Sequence, residues 1–267
     1  MSNRLKGKND HAWEELFIKY DILNQIDMHQ SFIISSEQIK EYREPRLMAK
    51  FDHVINLPHI FYKNRLTILP ISRGSYIISN YEAYKKFENA SKEMIQAKLP
   101  EHIQSLDKDN IQSETVSINC ALASGILNDF LGEEILVPTV SGRMGSDRFD
   151  FEIMNNKIGK LASLQVTNAQ IEIDAAYEGL ESLTLLEAKR DISEDFLIRQ
   201  LYYPYRVWKK RVTKKVRPVF LVYSNGIYSL YEYEFKEYKI YNSLELVQQK
   251  NYMLDDIEIT ISDLENL

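Results

Sequence analysis

The residues best suited to chemistry lie in IEIDAAYEGLESLTLLEAKRD, where Asp174 closes one short alternating segment and Glu187-Ala188-Lys189 closes the next. Two strands with a turn-prone connection are expected here, and antiparallel strands joined this way bring their polar ends side by side. Side chains alternate along a strand, so Glu187 and Lys189 share one face, roughly 7 Å apart at about 3.3 Å per residue. Leu183 and Leu185 continue that face into the core. An apolar strand therefore ends abruptly in a carboxylate and an ammonium, beside a second carboxylate, at the edge of a sheet. Two carboxylates this close repel each other unless a cation lies between them, which suits Mg2+ when phosphate and water supply the remaining oxygens. A neighbouring lysine can hold or help deprotonate an attacking water while the metal polarises a phosphodiester. For the Glu-x-Lys triplet alone, an ordinary surface hairpin is the better account. The apolar strand before it, the Asp on the partner strand and the basic helix after it argue for chemistry.

Other candidates are weighed against plainer uses. Glu172 shares a strand face with Asp174 and is either a further ligand or a salt-bridge partner, the latter being the commoner use. Arg143 lies between glycines in SGRMGSD, where a flexible loop can carry a guanidinium to a phosphate or a base edge. Arg43 and Arg46 are further candidates for DNA contact, although Glu41 and Glu44 can offset them as ion pairs. The five histidines show no metal-ligand spacing, and neither a Walker-type loop nor a G-x-G-x-x-G run is present,.

The elements that must position these groups are read from periodicity. HAWEELFIKYDILNQI has helical spacing, SSEQIKEYREP offers a Ser cap, a short helix and a proline stop, and HIFYKNRLTILPISRGSYIIS reads as a strand pair,. Helices followed by a hairpin suggest a winged helix-turn-helix. A polar stretch near residues 96 to 115 reads as a connection, giving a DNA-recognition domain over 1–105 and a second domain over 106–267. In the second, VSINCALASGILNDFLG is expected to be one helix stopping at Gly132. The strands RFDFEIM, AQIEID and ESLTLLEAK follow, then a helix SEDFLIRQLYYPYRVWKK bent at Pro204, and a hairpin around Asn225-Gly226,. The expected class is α/β, with a mixed sheet flanked by helices and a smaller N-terminal α+β domain.

At 267 residues the chain can bury a sizeable core, and its single cysteine, Cys120, excludes a disulfide framework or a cysteine-rich zinc site,. No apolar leader and no run of about eighteen apolar residues is found, so a cytoplasmic protein without membrane contact is expected. The net charge of −6 conceals segregation: Arg199 to Arg217 holds eight Lys or Arg and no acid, while the last seventeen residues hold five acids and no base. One basic face on an acidic protein suits a polyanion, with Arg206, Lys209 and Lys210 as candidate DNA contacts. A solvated helix face accounts for the run equally well.

Asp174 and, after twelve intervening residues, Glu187-x-Lys189 resemble the D…(D/E)-x-K signature of the PD-(D/E)XK nucleases, with Ile173 where the family name has Pro. The resemblance covers roughly residues 112 to 236. It implies Mg2+ as cofactor, Asp174, Glu187 and Ala188 as the metal contacts, and Lys189 as the water-orienting residue. Gln200 falls on the next helix, where related nucleases often place a glutamine near the metal. REPRLMAKFDHVINLPHIF, NRLTILPISRGSYII and SGRMGSDRFDF also resemble stretches of bacterial type II restriction endonucleases. That second resemblance implies site-specific cleavage of double-stranded DNA and a cognate methyltransferase acting on the same site, with a homodimer as a further option. The competing readings are a DNA-binding transcriptional regulator with a non-catalytic second domain, and a repair or junction nuclease on the same core.

Overall fold

The structure is a computed structural model that describes residues 5–88, 91–108, 110–190 and 193–254. Two helices, α1 (Lys8–Lys19) and α2 (Ile22–His29), open it, and Trp13, Leu16, Phe17, Ile22 and Ile26 are buried together. Then come β1 (Phe32–Ser35), α3 (Ser36–Lys40), α4 (Pro45–Met48), α5 (His59–Lys63), β2 (Thr67–Ser72) and β3 (Ser75–Ser79). β3 lies between β1 and β2 in an antiparallel three-stranded sheet. The serine cap expected before α3 is a full capping box. Gln38 N donates to Ser35 Oγ at 3.2 Å and Ser35 N donates to Gln38 Oε1 at 2.8 Å, satisfying two donors that the helix start leaves open,.

The chain continues through β4 (Tyr84–Lys86), β5 (Met94–Ala97), α6 (Glu114–Ala123), α7 (Ile126–Leu131), β6 (Val137–Pro138) and β7 (Gly142–Gly145). β8 (Phe149–Asn155), β9 (Lys160–Val166), β10 (Gln170–Ile173), β11 (Ala175–Glu178), β12 (Ser182–Lys189) and β13 (Asp195–Leu197) follow. α8 (Arg199–Arg211), β14 (Lys215–Ser224), β15 (Ile227–Phe235) and β16 (Leu244–Leu254) complete the described elements. Seven strands form a mixed sheet in the order β5-β16-β15-β14-β12-β11-β6, parallel at β12–β14 and β5–β16 and antiparallel elsewhere.

This is an α/β architecture, and β12 shows why. Parallel neighbours need a crossover, and α8 supplies it between β12 and β14. Leu183 and Leu185 enter the cluster that also holds Leu201 and Tyr202 of α8, while Leu186 and Ala188 enter the cluster of α6 and α7 with Ile118 and Phe130. A strand covered on both faces reads as a continuous apolar run, as this one does. The N-terminal hairpin joins the same packing: Leu69 and Ile77 share a cluster with Phe149 and Phe151 of β8.

Several expectations are corrected. The single helix ending at Gly132 is two, because Gly125 takes a left-handed φ of +77° and ends the first turn run; Gly132, at +68°, does end the second,. The helix expected from Ser193 begins at Arg199, since Asp195–Leu197 pairs with β4 instead. β8 has Phe149, Phe151 and Ile153 buried on one face as expected, but it pairs with β9 outside the seven-stranded sheet. β10 pairs with β7, so β11 and not the strand before Asp174 is the neighbour of β12. β12 is consequently an interior strand, and the site lies at its C-terminal end rather than on a sheet edge. The hairpin at Asn225-Gly226 has both residues at positive φ, +50° and +79°, as a type I′ turn requires,.

The expected basic face is also thinner than its composition. Arg217 is buried in β14, where its guanidinium donates to both Glu232 oxygens at 2.8 and 2.7 Å. Burial raises the Glu232 carboxyl, but the Arg217 pairing outweighs it and holds the group below its ordinary range. A depressed carboxyl stabilises the fold above its unfolded pKa, and that contribution is lost as pH falls through the folded value. Glu232→Ala leaves the buried guanidinium to the Leu131 carbonyl at 2.7 Å and to the more distant Glu133 carboxylate at 3.6 Å, so it should lower stability by up to about 3 kcal/mol in denaturant titrations at neutral pH, with the difference from wild type shrinking in acid.

Candidate active site

The C-terminal end of β12 opens into a polar cleft of about 310 Å³ lined by Asp174, Glu187, Lys189 and Gln200, with Glu172, Arg143, Lys50, Asp52, Glu114 and Arg199 around them. Asp174 stands between β10 and β11. Because Ala175 faces Leu186, extending that antiparallel register by one residue sets Asp174 across from Glu187. Asp174 Oδ2 accepts a hydrogen bond from Ala188 N at 2.8 Å, which fixes the carboxylate against the strand end.

Glu187 and Lys189 leave the same face, and Lys189 Nζ donates to Glu187 Oε1 at 2.7 Å. Gln200, in the first turn of α8, donates from Nε2 to the same oxygen at 2.6 Å. Its own Oε1 is buried without a partner. Lys189 also lies 3.9 Å from Asp52 and 4.0 Å from Glu114. Sequence reasoning missed these two acids. Glu114 carried a faint signal, since it follows the Ser113 cap at the start of the helix packed on β12. Asp52 carried none, because a loop residue of the N-terminal region reaches the cleft only through tertiary packing.

The electrostatics follow from burial. It pushes Glu187 up to about 7 against the pull of Lys189, and it raises Asp174 against the Ala188 N–H and Lys189. Glu114 is raised by burial as well. At Lys189 burial alone would lower the pKa, but Glu187 and Asp52 outweigh it and hold the ammonium above its ordinary range. Lys189 is therefore held as an ammonium, and its Nζ donates to Glu187 Oε1. Two desolvated carboxylates whose ionisation is resisted form a donor set that a small divalent cation relieves. Among the described residues no group of three or more His, Cys, Asp or Glu side chains could hold a metal ion unaided. Such an ion would take Asp174, Glu187 and the Ala188 carbonyl, with water and phosphate for the rest.

Glu172 has the salt-bridge use: Lys50 Nζ lies 3.1 Å from its Oε2, and Arg143 Nε donates to its Oε1 at 3.0 Å. The other candidates are elsewhere. Arg206 is buried, donating to Tyr202 Oη at 2.6 Å and to the Asp150 carbonyl at 2.8 Å, with its guanidinium 4.1 Å from the Tyr238 ring centre. It is a packing residue, which corrects its reading as a surface contact. Lys209 and Lys210 are exposed at the far end of α8, about 14–15 Å along the axis from Gln200 at about 1.5 Å per residue,. Arg43 and Arg46 do not line the cleft, and Glu41, expected to offset them, pairs with Lys19. The acidic tail, from residue 255 onward, lies outside the described residues.

Fold and cleft together define an α/β protein whose mixed seven-stranded sheet, flanked by helices, presents a carboxylate–lysine site at the end of its central parallel pair. The chain belongs to the family described as a domain of unknown function, DUF6997, whose model matches residues 79–253. A second domain of unknown function, DUF6996, matches residues 10–78. Neither the curated proteins nor the solved structures contain a match to the chain. No helix of the described residues is long and apolar enough to cross a membrane.

Proposed function

We propose that this protein is a Mg2+-dependent endodeoxyribonuclease of the PD-(D/E)XK kind, cutting double-stranded DNA at a specific site as a type II restriction enzyme. The observation that carries this reading is the convergence of Asp174, Glu187 and a charged Lys189 at the end of one strand, with Lys189 Nζ 2.7 Å from Glu187. A bound Mg2+ would supply Lewis-acid polarisation of the phosphodiester and charge neutralisation at the leaving oxygen. Asp174 and Glu187 would provide its carboxylate oxygens. Gln200 fixes the Glu187 carboxylate, and Lys189 directs an N–H at the attacking water or at a phosphate oxygen. The cleft holds Lys189 charged, so its part is positioning and electrostatic support rather than proton removal.

The element order of residues 8–79 supports a DNA-reading role: helices, a strand, further short helices and a hairpin whose strands form a sheet of order β1-β3-β2, and a winged helix is the reading we propose for it. Lys50 and Asp52 from that region line the cleft, so a reading surface and a cutting site would be in direct contact. A restriction enzyme of this kind requires a methyltransferase that protects the same sequence in its host.

Incubation with unmethylated plasmid and Mg2+ should give discrete fragments. A smear would point to a non-specific or repair nuclease, and intact plasmid to a DNA-binding regulator. Ca2+ should support DNA binding without hydrolysis, because it accepts the same oxygens but orients water poorly. Undiminished cutting in excess chelator would sink the metal assignment.

A further inference from the structure

Two of the cations lining the cleft that this chemistry does not use, Lys50 and Arg143, share a partner. One carboxylate, Glu172, bridges them: Lys50 Nζ lies 3.1 Å from Oε2, and Arg143 Nε donates to Oε1 at 3.0 Å. The backbone sets all three in place. Glu172 faces Arg143 directly in the β10–β7 register. Lys50 precedes a segment tied down by three hydrogen bonds: Tyr84 Oη donates to Phe51 O at 2.7 Å, Leu197 N to Asp52 O at 2.9 Å, and Val54 N to Asp195 Oδ1 at 2.9 Å.

A purely stabilising role explains little of this arrangement. The Lys50, Glu172 and Arg143 side chains are 48%, 38% and 65% exposed, and exposed ion pairs contribute about 0–1 kcal/mol,. What the arrangement achieves is geometric: two cations from separate parts of the chain each hold one oxygen of the same anion, beside Asp174 and Lys189. A phosphodiester offers the same feature, two anionic oxygens on one centre, to a guanidinium and an ammonium.

We infer that Lys50 and Arg143 form a clamp for a DNA backbone phosphate neighbouring the scissile one, and that Glu172 occupies this clamp in the free protein until DNA displaces it. The inference deepens the DNA-cutting reading and rests on it for the substrate. Glu172 then acts as a competitor built into the site. A duplex that makes many other contacts displaces it readily, whereas a weakly held duplex must overcome both the two ion pairs and the repulsion between Glu172 and its phosphates. Discrimination against poorly matched DNA follows from that threshold.

The test uses the full chain, a fluorescent DNA duplex without divalent metal over a range of salt, and plasmid cleavage in Mg2+. Glu172→Gln should bind the duplex about tenfold more tightly at low salt, with a salt dependence steeper by about one unit of slope. Lys50→Ala and Arg143→Ala should each weaken binding and flatten the slope by about one, while Lys50→Arg retains it. If the triad is only structural, the substitutions shift melting temperature and leave the salt slope unchanged, and that result overturns the inference, as does Glu172→Gln binding no more tightly than wild type. The two readings fail separately. Plasmid left intact by wild type, with Glu172→Gln still binding more tightly, removes the nuclease and keeps the clamp; cutting by wild type with no gain in Glu172→Gln does the reverse.

Discussion

Lys189→Ala is expected to lower strand cleavage by about 10²- to 10⁴-fold, the range associated with losing one positioned proton-handling or charge-stabilising group, while the protein stays folded and still binds DNA. Lys189 is the one cation in contact with Glu187 among the described groups, and Asp52 and Glu114 hold it charged where water or phosphate would sit. Its side chain leaves β12 after the apolar residues have entered the two clusters, so truncation opens no core cavity. Asp174 and Glu187 remain to hold the metal. The sign of the accompanying stability change is fixed by Glu187. Without its ammonium partner the buried carboxylate ionises with more difficulty, so the variant should match wild type in mild acid and fall below it as pH rises. Melting temperature, duplex affinity and cleavage measured on one preparation decide the matter. A well-folded Lys189→Ala protein that cuts at the parental rate would falsify the site.

Asp174→Asn and Glu187→Gln should separate stability from function in opposite directions. In the folded protein burial raises Asp174 above its ordinary range and Glu187 to about 7, from 4.5 for an ordinary glutamate, and each carboxylate raises the other or is raised by its neighbours. A raised acid binds its proton more tightly when folded. Its cost to stability is absent below the unfolded pKa, grows as pH rises, and is complete above the folded value, near 7 for Glu187,. Removing either charge should therefore raise the metal-free melting temperature at pH 8 and leave it nearly unchanged near pH 4. Mg2+ should stabilise wild type, by about 2.7 kcal/mol at a hundredfold excess over Kd, and stabilise the variants much less. Cleavage should collapse in both, with excess Mg2+ restoring part of it in Glu187→Gln, where the amide oxygen can still ligate. Should the metal-free variants melt lower than wild type at pH 8, the carboxylates are structural and the metal reading goes with them.

The sequence by itself determined the parts governed by local rules. Alternation along β12 and the short connection before it put Asp174 beside Glu187 and Lys189, although the strand that carries the pairing is β11 and not β10. Asn225-Gly226 and the Ser35–Gln38 box announced a turn and a helix start because their geometry depends on only a few neighbouring residues. Everything that depended on distant neighbours was decided by the tertiary structure. Arg206 has the sequence surroundings of a solvated basic helix, and only the aromatic rings of Phe149, Tyr202 and Tyr238 closing around it make it a core residue. Gly125 could have continued a helix; in the fold it takes a left-handed turn between α6 and α7, whose apolar residues share one cluster. Lys50, Asp52 and Glu172 lie up to 122 residues apart along the chain and meet at one cleft mouth. Periodicity records which face of an element is buried but not against what, and charges brought together by long-range packing leave no trace in the spacing of their own segments.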